Sequence, residues 1–169
     1  YITNRKAASG AEGQKGQVTQ YSLSTPFDIS TATKTSQTDL LGSDASSVLK
    51  YPHAIEFKPD GTRMFVTTNQ GIGSFDLGVW QFKLTTPWDS TTLVCEKTYE
   101  IDIDDAGNED QVRTLAFKPD GTRIFVTTNK DPTSVYQFKL TTPWDTTTLE
   151  FELRFTVDLT GADNEDQVR

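Results

Sequence analysis

Apolar residues recur at every second position in short runs along this chain, and the runs come in a fixed order. HAIEF (53–57) and RTLAF (113–117) are each followed by KPDGT, and then by RMFVTTN (63–69) or RIFVTTN (123–129). VWQFKLTT (79–86) sets Trp80, Phe82 and Leu84 on one face, and VYQFKLTT (135–142) does the same with Tyr136, Phe138 and Leu140. In LEFELRFTV (149–157), Leu149, Phe151, Leu153, Phe155 and Val157 alternate without a break, and 93–101 keeps most of that pattern. Successive side chains of a strand point to opposite sides of a sheet, so this period of two predicts strands with one core face. KPDGT and TPWD between the runs predict tight turns. Pro fixes φ, Gly allows the left-handed region, and Asp accepts from a nearby backbone N–H. Each unit therefore predicts four antiparallel strands, A to D.

The unit is written more than once. FKPDGTRMFVTTN begins at Phe57 and FKPDGTRIFVTTN at Phe117, sixty residues later. QFKLTTPWD begins at Gln81 and again at Gln137, and NEDQVR occupies 108–113 and 164–169. A more diverged copy precedes them: QYSLSTPFDIST (20–31) aligns with QFKLTTPWDSTT (81–92), and YITN at 1–4 aligns with the FVTTN segments. The chain thus reads as three tandem copies of about 60 residues, a period typical of repeat architectures. Residues 1–50 form the first copy, without its strand A, 51–105 the second and 106–162 the third, while 163–169 begin the next.

Four antiparallel strands per unit, repeated in tandem, is the plan of a β-propeller blade. FKPDGTRMFVTTN and YITN resemble YVTN-type and related NHL/WD40-like propeller repeats. Together with LSTPFDIST and LTTPWDTTT they are similar to repeats in bacterial surface proteins and phage appendage proteins. The resemblance spans essentially the whole chain and implies an all-β fold of propeller blades. The WD40 signature itself is missing, since Trp-Asp falls in the TPWD turn rather than closing a strand. Short β-solenoid coils are the rival architecture. Three blades do not close a ring, because propellers carry about 4–8. The expected partners are further blades, from a longer chain or from other copies.

Composition narrows the function classes. A net charge of −8 argues against nucleic acid. No apolar run approaches the roughly 18 residues of a membrane span. One histidine and one cysteine leave no His-rich metal site and no internal disulfide. No nucleophile–His–acid motif, Gly-x-Ser-x-Gly elbow or phosphate loop is present. The expectation is a non-enzymatic binding or structural module, surface-associated or extracellular, with a glycan or protein ligand and no cofactor. The alternative is a fragment of a propeller enzyme, a hydrolase or lyase, with a central metal. Asn108 and Glu109 could serve such a metal, yet they recur as Asn164 and Glu165, whereas a once-per-ring site should break the repeat.

Candidate residues follow from where the copies differ. The A–B and C–D turns keep their length. The B–C loops (5–17, 70–78, 130–134) and the D–A connections (40–52, 103–112) change, and repeats tolerate insertions on the face they use. That face includes Phe75 and Asp76. It also includes His53, which aligns with Arg113 and Arg169, a set able to meet an anionic group. The plain alternative pairs Arg113 with Glu109 or Asp110. Asp102, Asp104 and Asp105 offer hard oxygen donors for calcium, although the spacing is not that of an EF-hand and the third copy replaces two acids with Thr160 and Gly161. Cys95 aligns with Phe151 at a core position. Trp88 and Trp144 align with Phe27 and are expected to pack on a neighbour, with sugar stacking as the alternative.

Overall fold

The alternating runs become strands of three antiparallel sheets. The computed structural model describes residues 1–6, 15–42, 49–70, 78–100, 112–128 and 134–157. The first sheet holds β1 (Ile2–Lys6), β2 (Lys15–Leu23) and β3 (Ala32–Asp39). The second holds β4 (Lys50–Phe57), β5 (Arg63–Gln70), β6 (Gly78–Leu84) and β7 (Leu93–Glu100). The third holds β8 (Val112–Phe117), β9 (Arg123–Thr128), β10 (Ser134–Leu140) and β11 (Leu149–Thr156). Strands adjacent in the chain are adjacent in the sheet. The chain is all-β, and no α-helix occurs among the described residues.

Turn chemistry fixes the corners. In KPDGT, Gly61 adopts φ 71° and Gly121 φ 72°. Asp60 Oδ1 accepts from the Thr62 N–H at 3.0 Å and from its hydroxyl at 2.6 Å, and Asp120 does the same with Thr122. The Lys58 ammonium, 2.7 Å away, and the Thr62 hydroxyl hold the Asp60 carboxyl down to about 2. In TPWD the aspartate caps a three-residue 3-10 turn: Asp89 Oδ1 accepts from the Thr91 N–H at 2.9 Å, and Asp145 Oδ1 from that of Thr147 at 3.0 Å. The aromatic before it lies in the left-handed region, with φ 62° at Phe27, 64° at Trp88 and 62° at Trp144. Nothing in the sequence pattern announced that conformation. The Trp88 N–H donates to the Gly61 carbonyl and Trp144 to Gly121, both at 3.0 Å, so the two corners of a sheet are tied at one end.

The cores lie between sheets. One gathers Val18 and Leu40 of the first copy with Met64, Val66, Trp80, Phe82, Leu84 and Cys95 of the second sheet. The other sets Phe65 and Val79 of the second sheet against Leu115, Phe117, Ile124, Val126, Tyr136, Phe138 and Trp144 of the third. A strand of the second sheet thus contributes to both cores, with Phe65 facing one way and Val66 the other. Cys95 is buried, as its place in the alternation predicts.

Three expectations are corrected. The alternating face of β11 is not one stripe. The ladder to β10 slips between Gln137 and Phe138, pairing Phe138 with Phe151 but Gln137 with Leu153 and Val135 with Phe155. Because side chains alternate, one extra residue sends Leu153 and Phe155 to the side opposite Phe151. The same slip occurs at Gln20/Tyr21 and Gln81/Phe82. Secondly, the first hairpin reaches further than its loop assignment at 5–17, because β1 runs to Lys6 and β2 starts at Lys15. Thirdly, the connection at 40–52 is not all surface. The Leu49 N–H donates to the Leu40 carbonyl at 3.0 Å, both leucines are fully buried, and β4 starts at Lys50, inside that connection.

Candidate functional site

Two features carry polar chemistry: the seams between sheets, and the edge strands β4 and β8. Each seam holds an aromatic trio built from two copies. Phe65 on β5 packs tilted against Phe117 at 4.5 Å between ring centroids, and Phe117 stacks on Trp144 at 4.7 Å. The preceding seam repeats this with Tyr1 on Phe57 at 4.4 Å and Phe57 on Trp88 at 5.4 Å. Register places Tyr1 in the role of Phe65, since Ile2 pairs with Thr19 as Val66 pairs with Trp80. Trp88 and Trp144 therefore pack on neighbours, as expected for a repeated turn aromatic. Phe27, in the first sheet, is fully exposed.

A glutamine clamps each seam. Gln81 Oε1 accepts from the N–H and hydroxyl of Thr146 in the next copy, at 2.9 and 3.0 Å. Gln20 Oε1 accepts from the same groups of Ser90, at 3.1 and 3.0 Å. Gln81 Nε2 donates to Glu96 at 2.9 Å. Arg63 holds Glu96 through Nε at 3.0 Å and reaches the Trp144 carbonyl through a second nitrogen at 3.0 Å. Both glutamines sit at the strand slip, where a bulge re-aims side chains. Sequence reasoning missed this clamp. The available signal was the invariance of Gln20, Gln81 and Gln137 among copies in which surrounding surface positions change.

β4 and β8 are edge strands of their sheets and neighbour one another. His53 and Arg113 occupy equivalent places, each within an interrupted stretch of register: Pro52 to Ile55 in β4 and Val112 to Thr114 in β8. His53 is half-buried, and its carbonyl accepts from the Thr3 hydroxyl at 2.8 Å. Arg113 is exposed. Both sit on edge strands, at the end opposite the tied corners. Arg169, Phe75, Asp76, Asp102, Asp104 and Asp105 lie outside the described residues. Among the described residues, no group of three or more His, Cys, Asp or Glu is placed to hold a metal ion.

Glu56 joins the two edges. Its carboxylate accepts from the Phe117 N–H at 3.2 Å through either oxygen. Burial raises its pKa above the ordinary carboxylate range, and the Phe117 bond opposes this only in part. A raised folded value means that the ionised form is penalised in the fold. Its contribution is complete below the unfolded pKa, about 4.3, and is lost as pH rises through the folded pKa. Glu56→Gln keeps an acceptor for Phe117 and removes the charge. Its melting temperature is expected to exceed the parent's near neutral pH, with the gap closing on acidification. A gap that widens on acidification in thermal melts excludes this account.

No protein-family model matches the chain, and no curated protein matches it. Among solved structures that match is a candidate 6-phosphogluconolactonase from Bacteroides uniformis. It is 17% identical, with a TM-score of 0.47, over 90% of this chain and 43% of that one. The chain thus spans less than half the length of that protein.

Proposed function

We propose that the chain is a run of β-propeller-type blades acting as a non-enzymatic binding or structural module at a cell or virion surface. The observation that carries this reading is the recurrence of one seam: aromatic trio and glutamine clamp join the first sheet to the second and the second to the third. Those contacts occupy the constant-length end of the sheets, where Trp88 and Trp144 pack against Phe57 and Phe117. The segments that vary among copies connect strands at the other end of the sheets, the end nearer His53 and Arg113 on β4 and β8. Variation confined to one face of a repeat array supports a binding role for that face. A glycan or protein fits the acidic, loop-rich surface better than nucleic acid does. Phe75 and Asp76 supply an apolar platform and a hydrogen-bond acceptor. His53, Arg113 and Arg169 supply donors for an anionic group, and Asp102, Asp104 and Asp105 are the candidate calcium donors.

The test is a glycan array probed with the chain, in parallel with Phe75→Ala/Asp76→Asn and Arg113→Gln variants. A ligand is expected whose binding falls about tenfold in at least one variant while melting is unchanged. Catalytic turnover abolished by a chelator would replace this reading with the metal-dependent enzyme.

A further inference from the structure

The third sheet presents one half of a seam. Phe125, Val135, Gln137 and Phe155 lie on one face of it, by the registers Gln137 with Phe125, Gln137 with Leu153, and Val135 with Phe155. Their counterparts in the second sheet are Phe65, Val79, Gln81 and Tyr99. Phe65 and Val79 are fully buried and Gln81 is 2% exposed, all three covered by the third sheet, while the Tyr99 hydroxyl donates to the Leu149 carbonyl across that seam. In the third sheet Phe155 is 62% exposed, and Phe125, Val135 and Gln137 are half-buried. The polar half of the clamp is already assembled. Gln137 Nε2 donates to Glu152 at 2.7 Å, and Arg123 holds Glu152 through Nε and Nη2 at 2.8 and 3.2 Å. This is the arrangement by which Gln81, Glu96 and Arg63 receive the next sheet. It leaves Gln137 Oε1 and Arg123 Nη1 as the atoms that meet an incoming turn.

We propose that this face docks a further repeat of the same kind: a four-stranded sheet bringing a Phe on its first strand and Trp-Asp-Ser/Thr at its third corner. The proposal rests on the tandem-blade reading above. The incoming Phe packs on Phe125 as Phe117 packs on Phe65. The Ser or Thr gives its N–H and hydroxyl to Gln137 Oε1, and the Trp carbonyl accepts from Arg123. A second copy of this chain, docked by its first sheet, lacks these groups. That sheet has three strands and no counterpart of β8, hence no equivalent of Phe117. Its corner carries Phe27 in place of Trp, and Ile29, 86% exposed, at the place of Ser90 and Thr146. Ile29 offers no hydroxyl to Gln137.

The experiment appends a second copy of residues 114–169 after Arg169, which keeps the repeat in frame because Arg169 aligns with Arg113. Amide exchange in β9, β10 and β11 is expected to slow roughly tenfold or more on extension. Phe155→Lys is expected to remove that slowing in the extended chain while leaving exchange in the 169-residue chain unchanged. An appended repeat that folds without protecting the third sheet overturns the proposal. So does protection of Phe27 and Phe155 in the 169-residue chain on self-association, which shows the second copy to be the occupant. The blade reading itself has a separate control: Gln81→Ala must raise exchange in both the second and third sheets. A neutral Gln81→Ala rejects that reading, whereas a disruptive one with an inert extension rejects only the docking.

Discussion

Phe65→Ala is expected to cost about 3–5 kcal/mol in urea unfolding, while Phe125→Ala, at the same place in the next copy, costs about 1 kcal/mol or less. The two residues stand in identical sequence, FVTT, on equivalent strands. Their intrinsic strand preference and local turns are the same, so any difference comes from what lies over the ring. Phe65 is fully buried and touches both Phe117, at 4.5 Å, and Trp144, at 6.2 Å. Its removal forfeits the transfer energy of a large ring and leaves a cavity between two sheets that share no main-chain ladder to pull it closed. Against a typical total of roughly 5–15 kcal/mol, that loss separates the second sheet from the third in any cooperative sense. Phe125 has no such cover and loses only contacts within its own sheet. Equal costs would mean that stability resides within each sheet and that the seams are incidental.

The same contrast explains what the sequence made legible. The strands, their order and the antiparallel pairing follow from alternation and turn residues, which are local signals. Cys95, Trp88 and Trp144 were placed correctly because repeats align, whereas Phe27, aligned with the two tryptophans, is fully exposed. The β11 stripe misled because alternation was read through a bulge, and a bulge leaves no mark in a run such as LEFELRFTV. Only the recurring glutamine opposite it hints at one. The left-handed tryptophans were hidden for a related reason: φ above zero is usually signalled by Gly or Asn, and here the chain uses an aromatic. His53 and Arg113 were found as an aligned basic pair, and the structure adds that both interrupt the register of edge strands. Phe75 and Asp76 rest on loop variation alone, and Asp102, Asp104 and Asp105 on their hard oxygen donors.

The tied corner offers the sharpest energetic test. A Cβ on Gly61 would lie 2.4 Å from the Trp88 indole, and one on Gly121 2.2 Å from that of Trp144. Gly61→Ala therefore meets two penalties. An L-residue at φ 71° costs about 1–2 kcal/mol, and the indole, on a residue anchored by its backbone N–H bond to the Gly61 carbonyl, must be displaced for roughly 1–3 kcal/mol more. A combined loss of about 2–5 kcal/mol is expected from chemical unfolding. The two terms can be separated at this corner because Trp88 is 44% exposed and its removal is survivable, unlike that of Trp144. Trp88→Gly deletes the ring and relaxes the strain at φ 64°. In that background Gly61→Ala should cost only the dihedral term, about 1–2 kcal/mol, giving a coupling of at least roughly 1 kcal/mol in a double-mutant cycle. Additive losses would show that the indole yields freely, and that Gly61 is required by its backbone conformation alone. Coupling on the expected scale makes KPDGT and TPWD a single structural word, split by a strand pair and repeated because the second and third sheets each close their corner on their own tryptophan.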